Sequence, residues 1–261
     1  MGFQAQWLET VRRKQSLLCV GIDAAEPGQR NEKALPSDLS KVEWTLGIID
    51  QVAPYAAAIK LNRNYYKDIS RSEMQRINAR IHAHDMLSID DSKLADIGET
   101  NDAGIYHAKA EGFDAITYAP FPGNTLQACA QADKHAIGLI VLVLMSNPEY
   151  RLMKEARIGE QPLYLHLAKQ VAEGKAAGIV IGAPSDSNHI TAHEIEEVAQ
   201  LLPESLVLVP GIGAQGGELG PILAQFGDRT IANVGRAIIY HQDPAGEAKA
   251  YRDRIQALRI S

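Results

Sequence analysis

The sequence has little of what would place it in several large classes. Only 2 Cys occur in 261 residues, and Cys19 and Cys129 stand far apart with no Cys-x-x-Cys spacing. That argues against a disulfide-stapled secreted scaffold and fits a reducing compartment. Both thiols are expected to be small buried hydrophobes in core strands. Basic residues are also in deficit, 26 Lys and Arg against 32 Asp and Glu, a net charge of -6. Binding to a nucleic-acid backbone needs clustered positive charge, so a polyanion partner is excluded while a single anionic metabolite is not.

Long hydrophobic runs are missing too. The longest, 136–145, is about half the length of a membrane span, and it reads as a buried strand. The N-terminus, MGFQAQWLETVRRKQ, mixes polar with apolar residues instead of forming a signal core. A cytoplasmic protein with no membrane contact is expected.

What is present is 46% apolar residues, enough for a large core. Short runs rich in Val, Ile and Leu alternate with longer amphipathic stretches, the pattern of βα units around a parallel sheet. Eight strands are expected, at 17–23, 56–61, 87–91, 115–118, 137–145, 178–182, 206–210 and 230–234. Helices are expected at 43–52, 72–84, 100–111, 163–173 and 192–201, among others. The mean strand spacing of about 30 residues suits one strand, one helix and two short loops. No low-complexity tract or charge run marks a boundary, so 1–261 reads as one α/β unit. Its expected fold is a single (β/α)8 TIM barrel with an additional N-terminal helix, and a doubly wound open sheet is the fallback.

In such a barrel the chemistry sits at the C-terminal strand ends. Those ends are polar: Asp23, Lys60 with Asn62, Asp91 with Lys93, Ser146, Pro210, and Gly235 with Arg236. Asp91 and Lys93, two apart in an extended segment, project to the same side, and Lys60 adds a second cation one strand earlier. Each charge lowers the cost of keeping its opposite in a poorly solvated pocket. A surface ion-pair cluster would give the same spacing, and the residues alone leave both readings open.

Glycine-rich turns follow the seventh and eighth strands, PGIGAQGGELG from 210 to 220 and NVGRAI from 233 to 238. Barrels commonly bind phosphate there, with Arg236 as a bidentate donor and Gln215 as a neutral one. The pairs His82/His84 and His189/His193 raise a metal site, but they lie before the third strand and among helix-start residues, so capping or solvated roles are expected. No Gly-x-Ser-x-Gly elbow occurs, and neither Cys has an evident His partner.

The run Asp91-Ser-Lys93-Leu-Ala-Asp96-Ile97-Gly-Glu-Thr100 resembles the Asp-x-Lys-x-x-Asp-Ile motif of the orotidine 5′-phosphate decarboxylase family. PGIGAQGG and VGR resemble that family's phosphate loops, and Asp23 and Lys60 match its ribose-contacting and catalytic positions. The resemblance implies conversion of orotidine 5′-monophosphate to UMP and carbon dioxide in pyrimidine biosynthesis, with no metal or organic cofactor. It implies an alternating array of Lys60, Asp91, Lys93 and Asp96, with Lys93 stabilising charge at C6 and returning the proton. Ser146 would bond the pyrimidine and Pro210 would line it. Asp23 with Lys60 would hold the ribose, and Gln215, Gly235 and Arg236 the phosphate. Asp96, Ile97 and Thr100 would enter the site of a homodimeric partner. Two other readings stand beside it: a magnesium-dependent sugar-phosphate decarboxylase or aldolase of the same superfamily, and a non-catalytic barrel that binds a phosphorylated metabolite.

Overall fold

The structure is a computed structural model that describes residues 1–30, 33–36, 38–185, 188–212 and 218–260. Eight parallel strands close into a barrel: β1 (Leu18–Ile22), β2 (Ala58–Leu61), β3 (Leu87–Leu94), β4 (Ala115–Tyr118), β5 (Gly138–Leu144), β8 (Gly178–Ile181), β9 (Leu206–Val209) and β10 (Thr230–Val234). The remaining two, β6 (Arg157–Ile158) and β7 (Gln161–Pro162), form a small antiparallel hairpin in the connection after β5. Around the barrel the strands run in sequence order, and β1 closes against both β2 and β10. All eight barrel strands match the expected runs to within a few residues.

Apart from β3, which reads LSIDDSKL, the barrel strands are mostly Val, Ile, Leu and Ala, because one face of each fills the barrel and the other meets the helix layer. The helices start where local chemistry starts them. Ser70 caps the helix Arg71–Ala83 and Thr191 caps the helix Ala192–Leu201, each in a reciprocal capping box with the Glu three residues on. The structure adds a helix at Thr125–Lys134, which holds Cys129. Cys129 is therefore buried on a helix, not in a core strand, whereas Cys19 lies in β1.

The N-terminal helix Phe3–Lys14 covers the end of the barrel where the strands begin. Its Phe3, Trp7 and Val11 are buried, and the Trp7 indole N–H donates to the Asp228 carbonyl at 2.9 Å. Gly138 at the start of β5 makes room for it, since a Cβ there would lie 2.7 Å from that of Phe3. With this end stoppered, the opposite rim is left for the site.

Candidate active site

The polar strand ends converge at the C-terminal rim. A cavity of about 170 Å³ is lined there by Asp23, Lys60, Asn62, Asp91, Pro210, Asn233, Gly235 and Arg236, among others. β2 carries Lys60 inward between Ile59 and Leu61, and β3 does the same for Asp91. The two side chains are buried and form an ion pair. Burial by itself would push the Asp91 carboxyl up, but Lys60 and Lys93 outweigh it and hold Asp91 well below the ordinary range. For Lys60, burial favours the neutral amine, and Asp91 and Asp23 more than offset it, raising its pKa above the usual value. The pair is charged across the working pH range.

Lys93 reaches the same carboxylate from the other side, with Nζ 2.5 Å from Asp91 Oδ1. The expected extended geometry is not how it gets there. Lys93 sits at φ +49°, and the β3–β4 register shifts between Asp90 and Leu94. Thr117 of β4 pins this irregular stretch: its hydroxyl accepts from the Lys93 N–H at 2.9 Å and lies 3.3 Å from both Asp91 Oδ1 and the Asp90 carbonyl. A left-handed lysine is a strained conformation held by its surroundings, the kind of feature found at functional sites. Its side chain is 43% exposed, so Lys93 stands at the solvent edge of the array while Lys60 and Asp91 form its buried base.

Asp96, Ile97 and Thr100 do not join this array within the chain. The Asp96 carboxylate accepts from the Ile97 N–H at 2.8 Å, Ile97 is 64% exposed, and Thr100 is exposed on the first turn of the helix Gly98–Ala110. Ser146 follows β5 at the rim, close against Gly182, where a Cβ would lie 2.6 Å from the Ser146 Cα. Pro210 and Gly235 line the cavity, and Arg236 is an exposed residue at its edge. Gln215 lies outside the described residues.

Several neighbours escaped the sequence reading. Arg30, from the loop after β1, pairs with Asp23 at 3.0 Å and lies over the Tyr65 ring, 4.8 Å from its centroid. The Tyr240 hydroxyl donates to the Asp23 carbonyl at 2.7 Å. Arg30 and Asp23 are seven residues apart, in a loop with no period, and the Tyr65 and Tyr240 contacts join residues far apart in the chain, so none leaves a local pattern. Thr117 and Asn233, by contrast, are polar residues inside apolar strands, a signal that could have been read. On the opposite face of β3, Asp90 is buried near Arg63, with Nε 3.9 Å away, and burial pushes its carboxyl up to about 7 against the partial offset of that guanidinium.

Three histidines of the pairs His82/His84 and His189/His193 each face a single carboxylate, and His84 is also the C-cap of the helix Arg71–Ala83. His82 pairs with Asp114 at 2.9 Å, His84 with Asp50 at 2.7 Å, and His193 approaches Glu197 at 3.8 Å. Among the described residues no cluster of His, Cys, Asp and Glu could hold a metal ion.

Comparison with known proteins agrees with this fold. The chain is 30% identical to the orotidine 5′-phosphate decarboxylase of Herpetosiphon aurantiacus, covering 99% of this chain and 97% of that one. It is 32% identical to the enzyme of the same name from Paracidovorax citrulli, over 95% and 93% of the two chains. The solved structure of Leishmania donovani OMP decarboxylase superposes with a TM-score of 0.82 at 25% identity over 100% of each chain. The model of the orotidine 5′-phosphate decarboxylase / HUMPS family matches residues 16–251. The chain belongs to the orotidine 5′-phosphate decarboxylase / HUMPS family.

Proposed function

We propose that this site decarboxylates orotidine 5′-monophosphate through the Lys60–Asp91–Lys93 array, and that array is the observation that carries the assignment of roles. As the bond from C6 to the carboxylate breaks, its electron pair stays on C6 and carbon dioxide departs. The Lys93 ammonium stabilises that charge and donates its proton to C6, giving UMP. The neutral lysine then regains a proton from solvent, to which its 43% exposure gives access. A fixed cation aimed where charge develops lowers the barrier because it needs no reorganisation during the reaction.

Asp91, held ionised by its two lysines, faces the substrate carboxylate and orients both ammonium groups. Asp23 and Lys60 hold the ribose, Ser146 and Pro210 the pyrimidine, and Gly235 and Arg236 the phosphate at the far end of the cavity; the resemblance gives Gln215, outside the described residues, a part in holding the phosphate. The phosphate is remote from C6, yet its binding energy organises the reacting end.

The working unit in this reading is a homodimer in the cytoplasm, with Asp96, Ile97 and Thr100 completing the partner's array. Supporting it are the exposure of Ile97 and the engagement of the Asp96 carboxylate by a backbone N–H instead of a lysine of its own chain. No helix among the described residues is long and apolar enough to cross a membrane.

Purified protein mixed with orotidine 5′-monophosphate should convert it to UMP, followed by the ultraviolet change of the pyrimidine, at the same rate with and without a chelator. No conversion, or conversion that the chelator stops, would overturn the proposal.

A further inference from the structure

Two asparagines of the described cavity wall, Asn62 and Asn233, have no part in the roles above, and they differ in that the Asn62 side chain already accepts from the Asn64 N–H at 3.2 Å. Asn233, on β10, lines the cavity beside Gly21, Asp23 and Lys60. Its Oδ1 is buried and has no hydrogen-bond partner within the chain. A buried carbonyl oxygen without a donor is unfavourable, and native proteins keep few of them.

The barrel holds that amide where it is. Asn233 pairs with Cys19 in the β1–β10 register, and Gly21, two residues further along β1, pairs with Lys60 of β2. A Cβ built on Gly21 would fall 2.9 Å from Asn233 Oδ1 and 3.3 Å from its Nδ2. The missing side chain at position 21 is therefore the notch that the amide occupies, next to the residue facing Lys60.

We propose that Asn233 is a further substrate-binding residue, whose side-chain carbonyl accepts a hydrogen bond from a sugar hydroxyl of the nucleotide. This rests on the reading of the site given above. Chemistry selects the hydroxyl. An amide oxygen needs a donor, and at neutral pH a carboxylate offers none and a phosphate little. The donors on a pyrimidine ribonucleotide are its sugar hydroxyls and the ring N–H. The ring is held by Ser146 after β5 and Pro210 after β9, and although β10 lies between β9 and β1, the Asn233 amide is set against Gly21 of β1, the residue paired with Lys60, on the side where Asp23 and Lys60 hold the sugar. Asp23 and Asn233 then provide two acceptors for the two donors of a cis-diol.

The test compares orotidine 5′-monophosphate with its 2′-deoxy and 3′-deoxy counterparts, in the parent and in Asn233→Ala. In the parent, removing the hydroxyl that Asn233 receives should lower kcat/KM by roughly tenfold. In Asn233→Ala the full substrate loses a similar factor, chiefly in KM, and discrimination against that one deoxynucleotide collapses. Gly21→Ala, which crowds the amide, should show the same loss and not add to it in the double variant. If Asn233→Ala does not fold, Asn233→Ser is judged by the same ratios.

A parent that fails to turn over orotidine 5′-monophosphate contradicts the reading of the whole site. A working parent whose discrimination is unchanged in the variants overturns the Asn233 assignment alone. So does an equal loss on all three nucleotides, the mark of a merely structural asparagine.

Discussion

The two ends of the barrel differ in what they bury. The N-terminal end has the larger cavity, a groove of about 750 Å³ between the first helix, the start of β5 and the helix Thr125–Lys134. Its nearby ion pairs are partly solvated: His82 with Asp114, and Arg13 with Asp85 at 3.8 Å, the latter 48% and 70% exposed. At the C-terminal rim the cavity is about 170 Å³, yet Lys60 and Asp91 are both buried in its wall. Burying opposite charges is expensive unless they are paired, and exposed pairs contribute little. The comparison teaches that burial of charge, not the size of a hollow, marks the place where this fold does chemistry.

The contrast breaks most sharply at Lys93. Lys93→Ala should lower turnover of orotidine 5′-monophosphate by about 10⁴-fold or more, since it removes both a fixed cation and a proton donor. Steady-state kinetics on folded protein measures it, and parental turnover would erase the distinction between the two ends.

At the other end, Trp7→Ala should destabilise the fold by about 3–5 kcal/mol through the cavity it leaves. Turnover per folded molecule should stay near the parent's. Denaturant unfolding alongside active-site titration separates the two effects.

Arg236→Ala returns to the rim with a smaller effect. Losing a charge-assisted contact to phosphate should cost about 1.5–3 kcal/mol, or roughly 10–150-fold in kcat/KM. The loss should shrink for a substrate that lacks the phosphate.

The remaining effect is on stability instead of turnover and concerns Asp90, on the opposite face of the catalytic strand. Its folded pKa, raised from 3.8 to about 7, means the folded state holds a proton that the unfolded chain has already released. Stability contributed by this group is therefore present below pH 3.8 and falls as pH rises toward about 7. Asp90→Asn should remove that slope from chemical unfolding measured across the interval, and an unchanged slope would assign it elsewhere.

Much of this contrast was legible in the sequence. The barrel strands could be read because strands buried on both faces are written as continuous apolar runs. The array could be read because Asp91 and Lys93 interrupt such a run with charge. Other features were hidden for identifiable reasons. The two-residue strands Arg157–Ile158 and Gln161–Pro162 are too short to carry a period, and Cys129 has the same local chemistry on a helix as on a strand. The left-handed turn at Lys93 depends on Thr117 from the next strand, and the grip of Tyr240 on Asp23 spans most of the chain. Tertiary contacts of that kind leave no trace in spacing.

The most direct test of the central claim, that the Lys60–Asp91–Lys93 array stabilises charge at C6, is exchange of the UMP C6 hydrogen in deuterium oxide, followed by NMR. The parent should catalyse deuterium incorporation at C6 and Lys93→Ala should not, although it still binds UMP. Equal exchange by the two proteins would contradict the account.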